Sequence, residues 1–261
     1  MAPNPRRWLK DLTRTRTARQ WAQQARNVGN LSQRRLRQLQ NEAQVLRRDL
    51  DLFLTRAQAR QEAEAGSADI LDLPPGTDWR WRPRVLGARI SPAGLAAPDS
   101  GTRLGDETGI WHDCPQRALI LRQVPNRSAT DLAAYGLQLE TLGFGGSFLS
   151  ISVDLPERAL QGLTRSHVIR MDATLSVERP LSIYARLNVG HGPNTDEMLR
   201  HLGDLTPGAP QRCVIEFDLH YLDMNERRLE KIWLDLIFEA PQMNSTVLRD
   251  LFLSRHLRAD I

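Results

Sequence analysis

From Leu36 to Ala57 the apolar residues of this chain fall at Leu36, Leu39, Ala43, Leu46, Leu50, Phe53 and Ala57. Steps of three and four alternate, which predicts a helix with one apolar stripe. Backward from Leu36 the same spacing passes through Ser32, Gly29, Ala25, Ala22 and Ala18, small residues that permit close contact but bury little surface. The helical pattern covers residues 6–64, with a break at Asn27–Asn30, where Gly29 and two Asn weaken it. From about Ile110 the period changes to two, the signature of strands with one buried face.

Strands are predicted at Ala118–Val124, Tyr135–Thr141, Ser147–Asp154, His167–Glu178, Leu181–Val189, Cys213–Leu222, Lys231–Glu239 and Val247–Ser254. Turn residues such as Pro125-Asn126, Gly145-Gly146 and Arg179-Pro180 separate them. Residues 194–203, with Asn194 or Thr195 as cap, predict a short helix in a long connection. About eight antiparallel strands without βαβ alternation predict a mainly β fold, an antiparallel jelly-roll-like sandwich preceded by a basic helical arm. The arm occupies residues 1–65 and the sandwich 110–261. Residues 66–109 are rich in Pro and Gly and read as a linker. Within that linker, Trp79-Arg80-Trp81-Arg82 reads as a short edge strand whose two Trp plug an end of the sandwich, the competing reading being a surface for stacking on bases or sugars.

Charge sharpens this division. Residues 1–60 hold 14 Lys and Arg against 4 Asp and Glu, a net +10. The remaining residues hold 21 against 27, a net −6. The arm therefore suits an anionic partner: nucleic acid, lipid head groups or the acidic face of another subunit. Its cations begin with Arg6, Arg7, Lys10, Arg14, Arg16 and Arg19. The stripe of Leu36, Leu39, Leu46, Leu50 and Phe53 suits self-association or docking on the sandwich, in equal measure. No run approaches the ~20 apolar residues of a membrane span, and no secretory h-region is present. The expected location is the cytoplasm, with the arm able to lie on a membrane surface; the Arg-rich residues 3–26, with Asp11 their only acid, also read like a mitochondrial transit peptide. Cys114 and Cys213 are too few for a disulfide framework, and read as two buried thiols or, in an exported protein, one bridge.

Sorting the strands by period two puts Leu149, Ile151 and Val153 on the core face. Alternate residues of 169–177, of 181–189 and of 215–221 (ending at Leu219 and Tyr221) join them. The opposite faces carry Phe148, Ser150, Ser152, Arg170, Asp172, Thr174, Tyr184, Arg186, Asn188, Glu216, Asp218, His220, Trp233 and Asp235. Flat rings for stacking amid planar polar groups for hydroxyls are what a sugar site needs. Tyr184, Arg186, Asn188, Asp172, Asp218, His220, Trp233 and Asp235 are accordingly the candidate ligand-binding residues, provided their strands are neighbours. A plain solvated face, with Arg186 paired to Asp172 or Glu216, is the competing reading.

The C-terminal sequence supplies a resemblance. Trp233-Leu234-Asp235-Leu236-Ile237-Phe238, a turn at Pro241–Ser245, and Val247-Leu248-Arg249-Asp250-Leu251-Phe252-Leu253-Ser254 resemble the closing strands of galactose-binding-like jelly rolls. That fold class includes many carbohydrate-binding modules. The resemblance covers about residues 110–258 and implies a non-catalytic binding or assembly sandwich. It brings no calcium loop and no ligand residues with it.

Catalytic signatures are lacking: there is no GxSxG, HExxH, P-loop or dinucleotide fingerprint. His112-Asp113-Cys114 cannot converge on one metal, because neighbours on a strand point to opposite faces. Asp218 and His220, at i and i+2, are the best local acid–base or metal pair, with Asp172 or His167 as a third ligand. The leading expectation is a non-catalytic binding or assembly protein with a glycan-binding face and no cofactor. Its alternatives are a membrane or nucleic-acid binder acting through the arm, and a metal-assisted hydrolase.

Overall fold

The computed structural model describes residues 17–64, 72–128 and 130–258. They divide into two compact units, Met1–Glu64 and Ala65–Ile261.

The first unit is helical. Helix α1 covers residues 17–26 and α2 covers Gln33–Glu64, with a single 3-10 turn at Val28–Asn30 between them. The break thus falls at the predicted Gly and Asn residues. Ser32 Oγ accepts the Arg35 amide at 3.4 Å, satisfying one of the orphan donors of α2. Along the predicted stripe cover declines. Leu39 is buried, but Leu46 is 37% exposed, Leu50 52% and Phe53 66%. Arg19 lies exposed on α1. Arg6, Arg7, Lys10, Arg14 and Arg16 lie outside the described residues. Among the described residues no helix is long and apolar enough to cross a membrane.

The second unit is a β-sandwich. Its strands are β1 (Trp79–Trp81), β2 (Gly94–Ala96), β3 (Thr102–Leu104), β4 (Thr108–His112), β5 (Leu119–Pro125), β6 (Tyr135–Thr141), β7 (Leu149–Asp154), β8 (His167–Val177), β9 (Leu181–His191), β10 (Asn194–Leu205), β11 (Gln211–Asp218), β12 (Leu229–Phe238) and β13 (Asn244–Leu257). One sheet has the order β11-β8-β13-β6-β5-β2, with β1 paired to the far half of β13. The other has the order β10-β9-β12-β7-β4-β3. Every pairing is antiparallel.

The core forms where the alternating apolar residues of both sheets meet. Ile169, Met171, Ala173 and Leu175 of β8 face inward, as do Ile183, Ala185, Leu187 and Val189 of β9 and Ile232, Leu234 and Leu236 of β12. Each large one contributes roughly 1.5–3 kcal/mol by leaving water. Strands β1, β2 and β3 come from the stretch read as linker. Trp79 and Trp81 of β1 stack with ring centroids 6.5 Å apart and pack on the core. Arg82 makes a bidentate pair with Asp250 at 2.8 and 3.1 Å, over the ring of Phe252.

Two predicted elements differ. Residues 194–203 are not a helix but most of β10, paired with β9 from Asn194↔His191 to Leu205↔Leu181. Strand β11 ends at Asp218, and Leu219–Tyr221 form a 3-10 turn. Leu219 still enters the core, but Tyr221 is 71% exposed rather than core-facing.

Candidate functional site

The register of the six-stranded sheet assembles a polar and aromatic outer face from four of its strands. On β9 the core takes Ile183, Ala185 and Leu187, so Tyr184, Arg186 and Asn188 face out. Their β12 partners are Ile237, Asp235 and Trp233. Asp235 and Ile237 in turn face Ser152 and Ser150 of β7, which face Gly109 and Trp111 of β4. Five of the eight predicted ligand residues, Tyr184, Arg186, Asn188, Trp233 and Asp235, therefore share one surface.

Polar order centres on Asp235, which is buried. Its Oδ2 accepts from Arg186 Nη2 at 2.9 Å, Arg186 Nε at 3.2 Å and Asn188 Nδ2 at 2.9 Å. Arg186 Nη1 also donates to Glu197 on β10 at 3.2 Å. Tyr184 lies against His201 of β10, ring centroids 4.8 Å apart. Lys231 Nζ stands 5.0 Å from the Trp233 ring and 3.0 Å from Asp154.

Sequence reasoning did not single out Trp111. Its indole is 45% exposed, yet held in place. Nε1 donates to Ser152 Oγ at 3.0 Å. A Cβ on Gly101 would stand 3.4 Å from two ring carbons, and one on Gly109 would stand 3.3 Å from Nε1. The missing Cβ atoms at Gly101 and Gly109 leave room for the ring beside them. The available signal was Gly109 at i−2 from Trp111 in a β pattern. Neither Gly101 nor the pairing with β7 is legible from that spacing.

The other three predicted residues lie elsewhere. Asp172 is on β8 in the opposite sheet, buried between Arg170 and Arg212. The proposed pairing of Arg186 with Asp172 or Glu216 is therefore replaced by Asp235 and Glu197. Asp218 closes β11, where Oδ1 accepts the His220 amide at 3.1 Å and Oδ2 meets Arg258 at 3.0 Å. His220 is exposed in the following turn and packs edge-on against Tyr221. The two do not share a strand face, which removes the geometry expected of an acid–base or metal pair. His112 is buried: Nδ1 accepts the Cys114 amide at 3.2 Å, so Nε2 carries the proton toward Pro98 O at 3.0 Å. Cys114 and Cys213 are both free and buried. Burial alone would raise the Cys114 thiol, but the backbone amides of Ala118, Gly145, Gln116 and Arg117 outweigh it and hold it below its ordinary value. Among the described residues no group of three His, Cys, Asp or Glu side chains gathers as metal ligands.

A family model matches residues 1–261. The chain belongs to DUF6478, a family of unknown function. No curated protein matches it. The DUF6478 sandwich is similar to several solved structures. One is the enzymatically active domain of bacteriophage CBA120 tailspike protein 4, at 3% identity over 56% of this chain and 19% of that one, TM-score 0.41. Another is the CBM22-1 xylan-binding domain of Paenibacillus barcinonensis Xyn10C, at 10% identity over 64% and 94%, TM-score 0.38. A third is the family 11 carbohydrate-binding module of Clostridium thermocellum in complex with a β-1,3-1,4-mixed-linked tetrasaccharide, at 10% identity over 62% and 96%, TM-score 0.39. The chain spans about a fifth of the tailspike chain. At these identities and TM-scores the likeness assigns this chain no ligand.

Proposed function

We propose that this DUF6478 protein is a non-catalytic binding protein whose outer six-stranded face holds an oligosaccharide. The observation that carries this reading is Trp111: a ring packed beside Gly101 and Gly109, fixed through Nε1 and 45% exposed. Sugar rings present C–H faces that stack on such a surface, and a pre-ordered ring loses little entropy when a ligand arrives. Arg186, partly exposed and held in place by the buried Asp235, supplies planar donors on the same sheet.

Affinity electrophoresis and calorimetry against a polysaccharide panel test the reading. Trp111→Ala is expected to weaken binding by at least about tenfold, the loss typical of an aromatic anchor. The melting transition should persist, since the ring is half exposed. Undiminished binding by Trp111→Ala, or no binding by the parent protein, would overturn the assignment. For the arm we propose pairing with a second copy of the chain; the growing exposure of Leu46, Leu50 and Phe53 along one stripe supports it.

A further inference from the structure

Around the Trp111 platform, three cations each meet a carboxylate. Arg186 meets Asp235 at 2.9 Å and Glu197 at 3.2 Å. Arg103 of β3 meets Asp154 at 2.6 Å, and Lys231 meets the same carboxylate at 3.0 Å. Three positive groups thus face three negative ones: Arg186 holds two carboxylates, and Arg103 and Lys231 share the third. Asp113, which directly follows β4, is bonded instead by the Ser147 amide and hydroxyl and the Phe148 amide. Those donors, the Ser147 hydroxyl first, hold its carboxyl below the usual carboxylate range, so it stays ionised at neutral pH.

Resting on the carbohydrate reading of this face, we infer that its ligand is an uncharged oligosaccharide lying across the strands from Trp111 toward Tyr184. A uronate or phosphate would have to displace Asp235, Glu197 or Asp154 from its cation, and would meet Asp113 at the Trp111 end. A hydroxyl both donates and accepts, so it can use the paired groups without separating them. The axis follows from register. Trp111, Ser150, Ile237, Tyr184 and His201 form one row across β4, β7, β12, β9 and β10. Ser152, Asp235 and Arg186 form the row beside it. Three strand spacings separate Trp111 from Tyr184, about 14 Å. An aromatic ring thus stands toward each end, with the polar row alongside.

The test is calorimetry on the full-length protein with xylo-, mixed-linkage gluco- and galacto-oligosaccharides against oligogalacturonate and oligomannuronate, from about 20 mM to about 500 mM NaCl. Expected are binding of an uncharged series only, with Kd moving less than about twofold with salt, and about tenfold weakening by Tyr184→Ala as well as by Trp111→Ala. Binding of a uronate series that salt weakens would overturn the inference while leaving the carbohydrate reading standing. Uncharged binding indifferent to Tyr184→Ala would overturn the axis. Binding of no series would end both.

Discussion

At the scale of single residues, close approach decides what the sequence must contain. Gly146 is the clearest case. A Cβ there would fall 2.4 Å from Asp113 Oδ1 and 2.8 Å from the Cys114 amide. Gly146→Ala should therefore displace the Asp113 carboxylate from its donors and lower stability by about 2 kcal/mol or more, read from urea denaturation. His256 gives a pH signature. Burial lowers its pKa, reinforced by Arg170 and His167 and opposed by Glu216 and Asp78. The folded chain thus resists a proton that the unfolded chain accepts near 6.5. Its contribution is full above that value and declines as pH falls toward the lowered folded pKa. The urea midpoint should therefore drop between about pH 7.5 and about pH 5.5, and His256→Gln should flatten that drop. An unchanged profile in the variant would assign the slope to other groups.

At the scale of elements, strand alternation was legible wherever one face was fully apolar. Strands β8, β9 and β12 emerge within two residues of their predicted limits because apolar residues recur at every second position. Strand β10 shows what local pattern cannot carry. Thr195-Asp196-Glu197-Met198-Leu199-Arg200 has a helix cap followed by helix formers, yet pairing along the length of β9 outweighs that propensity. A bulge between His201 and Asp204 and charged outer residues then protect it as an edge. The candidate site was legible in part for the same reason. Period two sorts Tyr184 from Ile183, but it cannot say that β12 lies beside β9 while β8 lies in the other sheet. Asp172 was thus grouped with Asp235, though the two belong to opposite sheets. The Asp235 cluster also joins β9 to β12. Asp235→Ala leaves Arg186 and Asn188 without their shared acceptor and should cost about 1–3 kcal/mol, less than a fully buried pair because Arg186 is partly solvated. Asp235→Asn keeps the shape and should cost less; equal losses in the two variants would show that the charge alone matters.

At the scale of the whole molecule, two units of opposite charge character treat their apolar residues differently. The sandwich buries its own apolar faces, whereas the helical unit leaves part of its stripe open. A short stripe is marginal as a coiled coil, and that sets the expected behaviour: association that depends on concentration. In a parallel pair, with Leu36, Ala43 and Leu50 at a and Leu39, Leu46 and Phe53 at d, Glu42 at g faces the second copy's residue 47, an Arg, at e. An antiparallel pair centred on Leu46 would instead bring two Arg47 side chains together, so the parallel arrangement is favoured. Light scattering on the full-length protein should show mass rising toward a dimer with concentration. Leu46→Asp combined with Leu50→Asp should hold it at monomer with the sandwich melting unchanged. Pairing would also present two Trp111 faces to one polymer. The monomeric variant should therefore keep the parent's affinity for a short soluble oligosaccharide but bind an insoluble polysaccharide about tenfold or more weakly, through loss of avidity. A parent that stays monomeric at every concentration would leave the stripe without this role, and equal retention of both proteins on the polymer would mean that one face suffices.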